Sequence, residues 1–161
     1  KALLEISKNS NMRVSIIRPA LVYGPNPKGN LGLMWLSIKN NHFLPIPKVK
    51  NKKSMVHIDD LIDAIIMISK KQNTDSEIIN VTDGLLYTSR EIYETMCKMQ
   101  NKLPTKWSMP IVVLEIASFI FPNFKLKIKK LIKDECYSSQ KLKSYGFKTQ
   151  KTLSEMNETY F

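Results

Sequence analysis

Apolar and polar positions along the 161-residue chain follow two rhythms, and their boundaries outline the elements. Met12 to Ile17 is a short apolar, β-branched run bounded by the polar Lys8-Asn-Ser-Asn11, which predicts a buried strand over Met12–Arg18. Pro19 cannot donate to a sheet ladder, so the regular strand should stop there. Gly24-Pro25 and Asn26-Pro27 then force turns. Leu31, Met34, Trp35 and Ile38 recur at helical spacing and predict an amphipathic helix over Leu31–Asn40. Phe43 to Pro47 should be extended, because each proline restrains itself and its predecessor. Lys48 to Lys53 carries four lysines and reads as a solvated hairpin turn or a phosphate-facing loop.

Met55 to Ile58 is the next strand, and Asp59 or Asp60 should cap a helix running to about Lys70. Its many isoleucines leave little polar face, so it should be largely buried. Glu77–Val81 is a second buried strand, ended by Asp83-Gly84. Thr88 and Glu91 form a capping box opening a helix to about Gln100. Pro110 fits the first turn of an apolar helix that runs through Phe121 and stops at Pro122. Lys125 to Lys133 mixes lysines with Leu and Ile at irregular spacing. Ser139 should cap a short helix closed by Gly146, and Thr152 a last helix over Leu153–Phe161. Strands separated by helical stretches predict an α/β class with parallel pairing.

Two features concern the whole chain. Lys1 to about Asn9 is helical in pattern, with Leu3 and Leu4 on one side, but has no cap and no initiator Met. It reads as the tail of a helix begun upstream, and the expectation is a fragment of a longer protein. The formal net charge of +11 is compatible with nucleic acid, an acidic membrane surface or a phosphorylated ligand as partner, but lysines scattered along a chain are also a routine solubilising device.

Composition narrows the classes further. With 43% hydrophobic and 24% charged residues the chain is globular in type. Cys97 and Cys136 stand alone, without zinc-type spacing, which fits a reducing, cytoplasmic setting and no metal. No signal peptide is visible, and the longest apolar run, Ile111–Phe121, contains Glu115 and falls short of the roughly 20 residues a bilayer requires.

Self-contained catalytic machinery is missing from the sequence. His42 and His57 are the only histidines, and His57, at a strand end before acidic residues, reads as structural. No G-x-S-x-G elbow, Walker loop or G-x-G-x-x-G occurs. What remains is half a site: a Pro/Gly loop after a strand, Asn30 at a helix start, and the basic stretch Lys48–Lys53. A helix N-terminus beside lysines suits a phosphate.

The succession Arg18-Pro-Ala-Leu-Val-Tyr-Gly-Pro25, then Asn30, then Ser54-Met-Val-His-Ile-Asp-Asp-Leu61, then Ile79-Asn-Val-Thr-Asp-Gly84, resembles the C-terminal half of extended short-chain dehydrogenases/reductases. The group is the NAD-dependent epimerases/dehydratases, typified by UDP-glucose 4-epimerase. Ser138 to Phe147 looks like that family's late segment, so the resemblance covers nearly the whole chain. It implies the C-terminal portion of a Rossmann-like parallel sheet plus a small, mostly helical substrate-binding subdomain. It also implies that the dinucleotide-binding part and the catalytic Tyr-x-x-x-Lys pair lie upstream, Lys1 being too close to Arg18 to be that lysine. The fragment alone would then be inactive, and the full-length protein a homodimer.

By the same resemblance, Pro19, Ala20, Leu21 and Val22 correspond to the segment whose backbone meets the nicotinamide of NAD. Asn30 and Leu31 fall where the family holds the nucleotide diphosphate. Pro45, Ile46 and Pro47 fall near the segment lining the base, and Lys53 takes the place of a diphosphate-gripping Arg. Lys is a point charge and cannot make the planar bidentate fork. Leu21 stands where UDP-glucose 4-epimerases have a sugar-proximal Asn, and a late phosphate-binding Arg has no clear counterpart near Asp134. These departures leave room for an N-acetylated, 6-deoxy or lipid-linked substrate. Trp107 to Lys133, apolar and lysine-bordered, would suit a lipid-linked one, although packing into the core is the expectation for it.

The implied activity is an NAD-dependent UDP-hexose 4-epimerase acting on a nucleotide sugar. In the family reaction the Tyr deprotonates the C4 hydroxyl, hydride passes to NAD, the 4-keto sugar rotates, and hydride returns to the other face. The alternative is an NAD(P)-dependent 4-keto-sugar reductase or dehydratase of surface-polysaccharide synthesis. A more distant rival is a basic module binding RNA or anionic lipid through the lysines at 48–53 and 125–133.

Overall fold

A computed structural model describes residues 5–6, 9–10, 13–42, 46–71, 77–120 and 122–156. Among the described residues five short strands form two sheets. β1 (Ile16–Pro19) pairs in parallel with β4 (Ile78–Val81), Ile16 opposite Ile78 and Pro19 opposite Val81. β2 (Leu21–Tyr23) pairs in parallel with β3 (Lys53–His57), and β3 pairs antiparallel with β5 (Leu86–Tyr87).

Pro19 does end a strand, as its missing N–H requires, but the chain continues extended into a second one. Ala20 donates its N–H to the Val81 carbonyl at 3.0 Å, and the next three residues join the other sheet. A single residue thus carries the chain from one sheet to the other.

Because side chains alternate along a strand, the second sheet serves two cores. Leu21, Tyr23 and Met55 face a cluster with Leu31, Ile92 and Met96. Val22 and Val56 face the other way, toward Leu61, Ala64, Ile79 and Leu142. α1 (Gly29–Lys39) and α3 (Ser89–Met99) close the first cluster, and α2 (Ile58–Lys70) closes the second. The α/β class with parallel pairing is therefore present.

Local signals hold where one residue dictates geometry. Thr88 and Glu91 make the reciprocal capping box of α3. Pro110 accepts from Val113 and Leu114 at the start of α4 (Ile111–Ile120). Gly146, at φ +91°, closes α6 (Gln140–Ser144) by donating to Lys143 at 2.9 Å. Thr152 and Glu155 form a second capping box, on the 3-10 turn Leu153–Glu155. Most of the helix expected over Lys1–Asn9, part of the extended run Phe43–Pro47 and residues 157–161 lie outside the described residues. The helix expected over Leu153–Phe161 is a 3-10 turn at its described start, and it gives way to extended backbone at Met156.

Four other expectations are corrected. α2 is capped by His57, whose Nδ1 accepts the Asp59 N–H at 3.2 Å, because the Asp60 carboxylate is engaged elsewhere. α2 buries Leu61, Ala64 and Ile68 but leaves Ile62, Ile65 and Ile66 exposed, since only one face meets the sheet. Lys125–Lys133 belongs largely to a regular helix, α5 (Pro122–Ile132), with Pro122 opening it as a first-turn residue. Along 48–53 burial alternates: Lys48, Lys50 and Lys52 are exposed, while Val49, Asn51 and Lys53 are buried, so one side of an extended segment is fastened to the core.

Candidate functional site

The loop between β2 and α1 is shaped by close approach. Gly24 adopts φ +147°, and a Cβ there would stand 2.6 Å from Ile58 Cγ2. A Cβ on Gly32, in the first turns of α1, would collide with the Pro27 carbonyl oxygen. Gly32 lets the loop fold back onto the helix it precedes, and Gly24 lets the loop pass close over the start of α2. α1 then begins at Lys28 with no side-chain cap and no acidic residue in its first turn. An uncapped helix start beside a lysine is electropositive and retains backbone donors for an incoming anion.

Asn30 is exposed in this first turn, while the Leu31 side chain is buried in the first core. Ile46 and Pro47 are also buried, Ile46 in the same core; Pro45 lies outside the described residues. Pro19 is exposed at the carboxyl end of β1, Ala20 is buried, and Leu21 and Val22 are half-buried against opposite cores. Of the residues singled out from sequence, Pro19 and Asn30 therefore present side chains to solvent. Leu31, Ile46 and Pro47 are oriented inward, so a ligand would meet them through backbone.

Lys53 is only 4% exposed. Its Nζ donates to the Lys133 carbonyl at 2.9 Å and to Glu135 Oε2 at 3.2 Å. Next to it, the Asn51 amide donates to Ser89 Oγ and the Leu131 carbonyl, and its carbonyl oxygen accepts the Ser89 N–H at 3.0 Å. Sequence reading did not single out Glu135 or Asn51. The i, i+2 alternation at 49, 51 and 53 was the available signal.

A polar hub joins the sheet ends to the tail. Asp60 accepts the backbone N–H of Gln150 and of Lys151, and Asp59 pairs with the Lys151 ammonium. Tyr23 donates to the Lys151 carbonyl at 3.3 Å, and Tyr87 to Asp83 at 2.7 Å. Burial pushes both phenols up, Tyr87 further through its bond to Asp83, so neither is the acidified tyrosine a proton relay needs. Burial likewise raises the Asp83 carboxyl and lowers the His57 imidazole. His57 also stacks edge-on against Tyr23 with ring centres 5.2 Å apart, a structural placement.

Tyr137 and Lys141 have the Tyr-x-x-x-Lys spacing, but Tyr137 precedes α6 and Lys141 is paired with Glu77. That removes the shared helical face such a catalytic pair requires. A cleft of about 210 Å³ lies beside them, lined by Thr82, Gly84, Ser139 and Lys143 among others, and it contains none of the expected site residues. Among the described residues no cluster suits a metal ion, and no helix is long and apolar enough to cross a membrane.

Three comparisons bear on this arrangement. A UDP-glucose 4-epimerase of Vibrio cholerae is 31% identical over 114 residues, 70% of this chain and 34% of that protein. Among solved structures, the UDP-glucose 4-epimerase of Thermotoga maritima with UDP-glucose superposes with a TM-score of 0.71 at 15% identity, over 98% of this chain and 48% of its own. The dTDP-glucose 4,6-dehydratase of Bacillus anthracis in complex with NAD gives 0.69 at 17%, over 97% and 46%. The chain thus spans between a third and a half of the length of these relatives, and the structural likenesses show the Rossmann-type fold. A family model, that of the NAD dependent epimerase/dehydratase family, matches residues 1–82, half of the chain, and the chain belongs to that family.

Proposed function

We propose that this chain is the substrate-side half of a nucleotide-sugar 4-epimerase, with a UDP-hexose as substrate, and is inactive by itself. The observation that carries the reading is the uncapped start of α1, with Asn30 exposed on it and the glycine-shaped loop folded behind it. Such a turn can hold a diphosphate through Asn30 and the backbone at Leu31. Pro45, Ile46 and Pro47 would border the base through their backbone, and Lys53 would add a cation if it exchanged Glu135 for phosphate. The Vibrio cholerae relative, acting by its name on UDP-glucose, supports the epimerase reading over reductase or dehydratase.

The chain fits NAD in one respect only. Exposed Pro19, at the end of β1 where the two sheets part, offers a surface for the nicotinamide end, with Ala20, Leu21 and Val22 continuing the wall. The Ala20 N–H is already given to Val81, and no glycine-rich phosphate loop occurs in the sequence. The chain would therefore touch the cofactor without holding it. NAD, when bound, would supply reversible hydride transfer; the residues here orient the sugar nucleotide and exclude water from it. A homodimer is proposed only for a full-length protein.

Calorimetric titration of the chain with UDP, dTDP and RNA tests the reading. Saturable UDP binding, weakened by Asn30→Ala, is the expected result, with no epimerisation of UDP-glucose when NAD is added. Salt-sensitive RNA binding with no UDP binding would replace it by the basic-module reading.

A further inference from the structure

The apolar stretch expected to pack into the core stands in solvent. Among the described side chains of α4, only Leu114 is buried. Val112 is 64% exposed, Ile116 57% and Phe119 89%. At 100° per residue these three lie within about 60° of one another around the helix axis, so they form one outward stripe. α5 packs beside α4 and is tethered from its other side. Leu131 lies against the first core, and its carbonyl accepts from Asn51 and Ser89. On the outward side of α5, Lys125, Leu126, Lys129 and Lys130 are exposed, Leu126 by 71%. From Leu103 to Lys133 the chain has six lysines and a single acidic residue, Glu115.

We propose that the α4–α5 pair seats this protein on an anionic lipid surface. The Val112–Ile116–Phe119 stripe enters the boundary between headgroups and acyl chains, and the lysines of α5 meet the lipid phosphates. An exposed apolar stripe flanked by lysines has the two signals that peripheral membrane helices combine. α4 has ten residues, about 15 Å of helix. That is half the hydrocarbon thickness, so the segment lies on the bilayer and does not span it. Charge selects this occupant over a second copy of the chain, since two copies would bring the same lysines, and net charges of +11, face to face.

Co-sedimentation with vesicles tests the proposal: phosphatidylcholine alone, and phosphatidylcholine with a quarter phosphatidylglycerol. The expected result is partitioning about ten-fold stronger onto the anionic vesicles, weakened by salt. The double variant Val112→Ser/Phe119→Ser and the double variant Lys125→Gln/Lys129→Gln should each lose it. All four side chains are outward or lysine, so circular dichroism should stay unchanged. Leu33→Ser, at an exposed leucine of α1, should bind like the parent. Equal binding to both vesicle types, or equal loss in Leu33→Ser, would overturn the proposal. So would sedimentation equilibrium showing a dimer that Val112→Ser/Phe119→Ser dissolves, without vesicle binding.

Discussion

Lys53 is held by Glu135, its ammonium 3.2 Å from the carboxylate, in the position where a free cation for the substrate diphosphate was expected. Either Glu135 tethers Lys53 as a staple between β3 and the segment after α5, or it positions a cation that phosphate can take over. Glu135→Gln separates the two. It removes the competing charge and keeps the shape, so UDP affinity should rise by roughly three- to ten-fold, the scale of one partly exposed charge-assisted bond. Lys53→Met should lower affinity by a similar factor. Titration calorimetry on both variants reads this directly, and identical affinities would assign Lys53 to the staple.

Asp60 anchors the tail. Its buried carboxylate takes the N–H groups of Gln150 and Lys151, some 90 residues later in the chain. With a residue this buried, losing the acceptor leaves two backbone donors without it. Asp60→Ala should cost about 2–3 kcal/mol, the range for hydrogen bonds to a buried charge. Thermal unfolding should show a fall of several degrees. Asp60→Asn keeps one oxygen but turns an amide toward donors, and should fall between the two.

How much of this was legible follows from where the physical cause lies. The capping box at Thr88, Pro110 before α4 and Gly146 after α6 are local devices, and they could be read because one or two neighbours decide them. The burial of Lys53 and Asn51 could not, since their partners Glu135, Ser89 and Leu131 are 38 to 82 residues away. Apolar content misled at α2 and α4. Isoleucine and valine runs suggested core helices, but each helix buries one side only. At the site, Asn30 was read from its place at a helix start and Pro19 through resemblance, and both lie exposed. The same resemblance named Leu31, Ile46 and Pro47, whose side chains the packing turns inward.

Gly32 should prove as sensitive as any core position. Its place is set by the Pro27 carbonyl, which a methyl group would strike. Gly32→Ala must push the 24–28 loop away from α1. A cost of about 1–3 kcal/mol is expected, typical of forced overpacking. If that loop supports the anion site, UDP binding should fall as well. Gly29→Ala is the control for backbone strain without collision, because nothing lies near a Cβ there although φ is +64°. Stability loss in both, with UDP binding lost only in Gly32→Ala, is the expected outcome.

His57 makes stability depend on pH with a definite sign. Burial lowers its pKa below the ordinary 6.5, helped by Lys151; Asp59 and Asp60 act the other way without reversing it, and Tyr23 packs on the ring. Below pH 6.5 the unfolded chain takes up a proton at this residue that the folded chain refuses. Stability contributed here is therefore complete above pH 6.5 and is lost as pH falls through that value toward the folded pKa. Asp83, whose carboxyl is raised by burial, works in the opposite direction at lower pH, so the parent's profile alone mixes both. His57→Asn isolates the histidine, because Asn keeps an N-cap acceptor for the Asp59 N–H and does not titrate. Between pH 7.5 and 5.5 the melting temperature of the parent should fall more steeply than that of His57→Asn. Parallel profiles would mean that His57 becomes protonated in the folded protein as readily as in the unfolded one, against its burial beneath Tyr23.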